Sequence, residues 1–256
     1  MFCTLRRTLF SKLITLLLLT TLFGAPAGAQ QQSAETAEAE RARIETIVRD
    51  YLLNNPELII EVMRRLEEKQ QAEKDQAFKT NLVMVRSELF DNPDAPAMGN
   101  ADGKTVIVEF SDYNCPYCKR MAPTVKQAME SEPDLKVVMI EFPILGPNSQ
   151  YAAAAALAAK LQGKYSEAHF ALFGQKGSLA PASIDRALQR AGLNLKKLKQ
   201  DMKRPEIQQA LERNLELGQL LGINGTPAFI GGDLLRPGAI PASEFVKLIE
   251  AARPAE

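Results

Sequence analysis

The sequence predicts an α/β fold in which a small sheet carries a large helical insertion, preceded by an N-terminal segment that is helical throughout. Three observations predict it. Two β-rich apolar runs, Thr105 to Phe110 and Leu135 to Phe142, flank the helix-like stretch Lys119 to Glu130, a β-α-β pattern that makes a parallel strand pair. Residues 149–221 are helical in pattern. Residues 33–90 repeat their apolar side chains at helical spacing and are charged elsewhere.

Residues 1–29 read as an export signal: Arg6, Arg7 and Lys12 form a basic start, Leu13 to Phe23 an apolar core, and Ala27-Gly28-Ala29 a small-residue cleavage site. The apolar run is well short of the roughly 20 residues that span a bilayer. Arg6-Arg7 also hints at a twin-arginine signal, although Leu16 to Leu19 makes the core hydrophobic enough for general secretion. Either route leads to the periplasm. Cleavage near Ala29 leaves 28 basic against 31 acidic residues, a charge of −3, which argues against nucleic acid as partner.

In residues 30–90, Ile44, Ile47, Val48, Tyr51 and Leu52 form one apolar stripe. Asn54-Asn55-Pro56 breaks it, with Asn55 as N-cap and Pro56 opening a second helix. Leu58, Ile59, Val62, Met63 and Leu66 continue the stripe. Glu67 to Lys79 is almost wholly charged or Gln, and Phe78, Leu82, Val85 and Leu89 resume at four-three-four spacing. A helix pair of this kind cannot bury two stripes alone, so it packs on the next domain or on copies of itself. A charged spacer about 20 Å long, at 1.5 Å per helical residue, favours an oligomerisation stalk. Residues 91–103, rich in Pro, Gly, Asn and Asp, read as a linker.

The second domain is expected over residues 104–256. After the β-α-β unit come Tyr151 to Leu161, Tyr165 to Phe173, Ser183 to Ala191, Leu195 to Met202 and Pro205 to Leu221, separated by Gly or Pro. A hairpin, Ala228 to Ile230 and Leu234 to Arg236 around Gly231-Gly232-Asp233, and a helix, Ala242 to Ala252, close the chain.

Cys115-Pro116-Tyr117-Cys118 stands at the junction of the first strand and its helix. At a helix N-terminus, free backbone N–H groups and the helix dipole favour a thiolate over a thiol. Zinc would need two further ligands with their own short spacing, and only Cys3, in the export signal, and His169 remain. A static disulfide would close too small a loop to restrict the unfolded chain much. An exported chain keeping a single C-x-x-C is built for disulfide exchange. His169 reads as a hydrogen-bonded structural histidine. The basic stretch Lys196, Lys197, Lys199, Lys203 and Arg204 reads as a solvated helix face.

The run Val108-Glu109-Phe110-Ser111-Asp112-Tyr113-Asn114-Cys115-Pro116-Tyr117-Cys118, with Gly225-Thr226-Pro227-Ala228-Phe229 far downstream, resembles the DsbA-type branch of the thioredoxin superfamily. Phe142-Pro143-Ile144-Leu145-Gly146-Pro147 and Gly163-Lys164-Tyr165 add to it. Asp50-Tyr51-Leu52-Leu53-Asn54-Asn55-Pro56-Glu57 resembles the N-terminal helices of the suppressor-of-copper-sensitivity C (ScsC) proteins. The resemblance implies a thioredoxin fold with an inserted helical domain and a trimeric disulfide isomerase or related oxidoreductase. It implies that Cys115 is the exposed nucleophile, Cys118 the buried resolving thiol, and Pro116 and Tyr117 the dipeptide that tunes redox poise. It also implies that Thr226-Pro227 is a cis-proline loop against which an extended substrate pairs, and that Glu109 is a buried acid able to shuttle the proton of Cys118. Asp112 and Tyr113 are expected at the surface near the site.

Three readings follow. The first is an oligomeric disulfide isomerase, a homotrimer kept reduced by a membrane reductase of the DsbD or ScsB kind. The second is a monomeric dithiol oxidase, reoxidised by a DsbB-like, quinone-linked membrane partner. The third is a copper-binding or chaperone-like protein, since soft thiolates suit Cu(I). No dedicated metal site and no cofactor beyond the Cys115–Cys118 disulfide are expected.

Overall fold

A computed structural model describes residues 27–254 apart from Ser178, with side chains from residue 36 on. The expected export signal, Cys3 included, thus falls outside the described residues, except that residues 27–29 open helix α1 (Ala27–Asn54). The chain divides into two compact units, Met1–Leu66 and Glu67–Glu256.

The first unit comprises α1 and the opening turns of α2 (Glu57–Phe90). Between the helices, the Asn55 amide donates to the Tyr51 carbonyl at 2.8 Å. Asn55 therefore closes α1, where the sequence suggested a side-chain cap for α2. The reason is that the last carbonyls of a helix lack partners and an amide N–H can supply one. The apolar stripe is open to solvent: Ile47 keeps 56% of its surface, Tyr51 59% and Val62 62%.

In the second unit, α2 runs first through exposed polar residues tied by short-range pairs such as Gln71 to Asp75. From Phe78 onward one face of it is apolar and buried. Phe78, Leu82, Val85 and Leu89 pack with Val108, Phe110, Val138, Ile140 and Leu217. Expected in the stalk, this stripe belongs to the second unit's core, because the sheet offers it an apolar face to pack on. The expected linker is also corrected, because Ala97–Gly99 forms an edge strand, β1, antiparallel to β3 (Leu135–Glu141).

The sheet has the order β1-β3-β2-β4-β5. Strand β2 (Thr105–Ser111) is central, parallel to β3 and antiparallel to β4 (Ala228–Gly231), which pairs with β5 (Leu234–Pro237). A strand covered on both faces reads as a continuous apolar run, as Val106 to Phe110 does apart from Glu109. Ile107, Val137, Met139 and Phe229 face α3 (Pro116–Ser131) and α9 (Ala242–Ala252), whereas Val108, Phe110, Val138 and Ile140 face α2.

Five helices lie between β3 and β4: α4 (Pro147–Lys160), α5 (Tyr165–Phe173), α6 (Pro181–Arg190), α7 (Leu195–Asp201) and α8 (Pro205–Leu220). Ala152 through Ala159 are all buried, so α4 is enclosed on every side, and its small side chains let α5 to α8 approach closely. Gly218 of α8 serves the same end, since a Cβ there would stand 2.3 Å from the Phe142 ring. This is the thioredoxin-type sheet with a helical insertion that the resemblance implied.

Candidate redox site

Cys115 is the N-cap of α3 and Pro116 its first residue. Proline is preorganised at that position and has no N–H to satisfy. No side chain caps the helix, so the first-turn N–H groups of Tyr117 and Cys118 are free to face the Cys115 sulfur. The thiol donates to the Thr226 carbonyl at 3.1 Å, and the Thr226–Pro227 peptide is cis. Residues 111 positions apart in sequence thus meet at one sulfur. Tyr117 stands out into solvent beside them, 53% exposed.

The two sulfurs are pushed in opposite directions. The Cys115 thiol is drawn down to about 5, chiefly by a hydrogen bond from Cys118, then by the Thr226 side chain and the N–H groups of Cys118 and Tyr117; burial opposes this. Burial drives the Cys118 thiol far up, and its hydrogen bond to Cys115 drives it further. Cys115 is less open than the resemblance implied, at 5% exposed against none for Cys118. The asymmetry between the sulfurs rests on hydrogen bonding and depth more than on access.

Glu109 is 2% exposed, so it does not lie at a wet edge. Burial raises its carboxyl to about 8, and its charge in turn adds to the rise at Cys118. Alternation along β2 puts Ser111 on the same face, and the parallel register sets Ser111 beside Glu141. Glu141, also raised to about 8 by burial, accepts hydrogen bonds from Tyr113 at 2.8 Å and Tyr165 at 2.6 Å on one oxygen. Its other oxygen and the Ser111 hydroxyl are buried without a hydrogen-bond partner among the described residues. His169 is buried against this group, 3.2 Å from the Tyr113 oxygen, and burial lowers it to about 3, so it is neutral.

Sequence reasoning missed Glu141, although an acid inside the apolar run Val137 to Phe142 is the same signal that singled out Glu109. It also misplaced Asp112 and Tyr113, which are buried. Asp112 accepts from the N–H groups of Asn114 at 2.8 Å and Leu145 at 3.0 Å, tying the dithiol loop to the loop before α4. A carboxylate that satisfies two backbone donors belongs inside. The basic stretch is a solvated face as expected, with Lys197 and Arg204 on Asp201 and Lys199 on Asp185. Among the described residues no three His, Cys, Asp or Glu side chains converge on a point, and no helix is long and apolar enough to cross a membrane.

The arrangement can exchange disulfides: a stabilised thiolate, a second sulfur in hydrogen-bond contact, and a buried acid, Glu109, whose charge acts on that second sulfur. Comparison with known proteins agrees with that chemistry. The profile of the copper resistance protein ScsC N-terminal domain matches residues 40–73. A thioredoxin-like oxidoreductase from Silicibacter pomeroyi DSS-3 is 41% identical, with a TM-score of 0.65 over 67% of this chain and 99% of that one. ScsC of Proteus mirabilis, in a transitional conformation, is 31% identical, with a TM-score of 0.62 over 84% of this chain and 97% of its own. A curated relative, the Na(+)/H(+) antiporter NhaA 3 of Salinispora tropica, is 28% identical over 133 residues, and the chain spans 20% of its length. The profile of the DSBA-like thioredoxin domain matches residues 106–250, more than half of the chain, and the chain belongs to that family.

Proposed function

We propose that the protein is a periplasmic thiol:disulfide oxidoreductase working as an oligomeric disulfide isomerase on substrate proteins. The observation that supports it most is the pairing of a stabilised Cys115 thiolate with a separate helical unit whose apolar stripe is uncovered. Cys115 attacks one sulfur of a wrong disulfide; that S–S bond breaks, the partner sulfur leaves as a thiolate, and a mixed disulfide forms. A second substrate thiolate attacks the substrate sulfur and expels Cys115 as a thiolate. The pairing has then changed with no net electron transfer.

If Cys118 acts first, it gives its proton to the ionised form of Glu109 and attacks the Cys115 sulfur. The substrate leaves reduced by two electrons, and a membrane reductase returns the Cys115–Cys118 disulfide to the dithiol. Glu109 holds that proton, and Thr226 and Pro227 pair with the substrate chain, as the resemblance implies. Pro116 and Tyr117 set the poise.

The dithiol oxidase is the second reading, and the lowered Cys115 supports it, because a stabilised thiolate favours the reduced form and makes the disulfide oxidising. Copper binding is a third use of the same soft sulfurs, which as a hydrogen-bonded pair suit Cu(I). It would vanish once they are oxidised.

The test compares residues 30–256 with residues 67–256, which keep the whole second core. Mass in solution is measured alongside reactivation of a scrambled-disulfide substrate. An oligomer that reactivates, beside a monomer that only oxidises or reduces, supports the isomerase. A full-length monomer that oxidises reduced substrate makes the protein a dithiol oxidase.

A further inference from the structure

A groove of about 580 Å³ opens beside the dithiol, lined by Tyr117, Arg120, Met121 and Thr124 of α3 on one side and by Thr226 and Ile240 on the other. It adjoins the nucleophile through Thr226, whose carbonyl accepts the Cys115 thiol. Arg120 is the one charged residue in its lining. The guanidinium lies over the Tyr117 ring, 4.7 Å from its centre, and no carboxylate pairs with it among the described residues. Its neighbour Lys119 is taken up by the Gln175 carbonyl, and Arg213 elsewhere is gripped by Glu88 and Glu216. Stacking on an aromatic ring restricts the guanidinium while leaving its N–H fork open for a carboxylate.

We propose that Arg120 determines specificity: the groove takes an extended substrate segment bearing Asp or Glu two or three residues from the cysteine that exchanges with Cys115. This rests on, and deepens, the oxidoreductase reading above. Arg120 is five residues beyond Cys115, which along a helix is about 7.5 Å. An extended chain covers that in about two residues at about 3.3 Å each. The charge of −3 that remains after the export signal would by itself attract basic substrates, so a preference for acid has to arise locally.

The experiment uses disulfide-linked homodimers of a short cysteine peptide with Glu, or with Lys, two residues from the cysteine. The reduced protein converts each dimer to two peptide thiols and becomes the Cys115–Cys118 disulfide, so electrons balance. Any effect of the Arg120 charge on the Cys115 thiolate is common to both peptides and cancels in the ratio of their rates. Wild type is expected to reduce the Glu peptide about threefold to tenfold faster than the Lys peptide at low ionic strength. Arg120→Gln should bring the ratio near one, Arg120→Glu should reverse it, and salt should shrink it. Equal wild-type rates would overturn the role of Arg120 while leaving the oxidoreductase intact. If neither peptide is reduced although 2-hydroxyethyl disulfide is, the reading of the protein as an enzyme of polypeptide disulfides falls, and this inference with it.

Discussion

At the scale of single residues, the site works by separating the acidities of two like groups. Cys115 is lowered, so its contribution to the stability of the reduced protein is complete above the ordinary thiol range and is lost as pH falls through about 5. Thiolate absorbance near 240 nm should therefore titrate with a midpoint close to 5 in the reduced protein, and Cys115→Ser should abolish it. A midpoint near 8 would remove the basis for a reactive thiolate. Glu109 and Glu141 run the other way: raised to about 8, they are neutral at pH 7. Their contribution is complete below the ordinary carboxylate range and is lost as pH rises through about 8, so the fold should weaken in mild alkali. Glu109→Gln should keep the fold but, above about pH 8 where Glu109 is ionised, slow release of substrate from the mixed disulfide by about tenfold to a hundredfold, since it removes a proton acceptor. Rapid-quench trapping of the mixed disulfide reads this out. Unchanged resolution would assign Glu109 to structure alone.

At the scale of elements, α2 is the instructive case. Its four-three-four stripe was legible in the sequence, but periodicity tells only that one face is apolar and not what covers it. Phe78, Leu82, Val85 and Leu89 are covered by the back of the sheet. Leu89→Ala, at a site with no exposed surface, should cost about 2 to 5 kcal/mol in denaturant unfolding of residues 67–256. A loss below 0.5 kcal/mol would return the stripe to the stalk. The strand Ala97–Gly99 escaped notice because it is short, contains Gly and is held by its partner strand more than by its own propensity. In contrast, the hairpin around Gly232-Asp233 was readable, because Gly232 supplies a φ of 58° that few other residues adopt.

For the molecule as a whole, the two units divide the work. The second contains the sheet, the insertion and the dithiol; the first presents Ile47, Tyr51, Val62 and Met63 to solvent. Exposed apolar stripes of that extent call for a partner surface. Tyr51→Asp combined with Val62→Asp should convert an oligomer to a monomer by light scattering, with the Cys115 titration unchanged. An unaltered mass would exclude this stripe as the interface.

The sequence by itself determined the dithiol, its placement at a helix N-terminus, the strand and helix order from residue 104 onward, and the cis-proline loop through its resemblance. Those are local patterns, written in neighbouring residues. Only the tertiary structure decided that α2 ends inside the second core, that Thr226 closes on Cys115, and that Tyr113, Tyr165 and Ser111 gather around Glu141. These depend on strand register and on contacts between residues far apart in the chain, which no local pattern records.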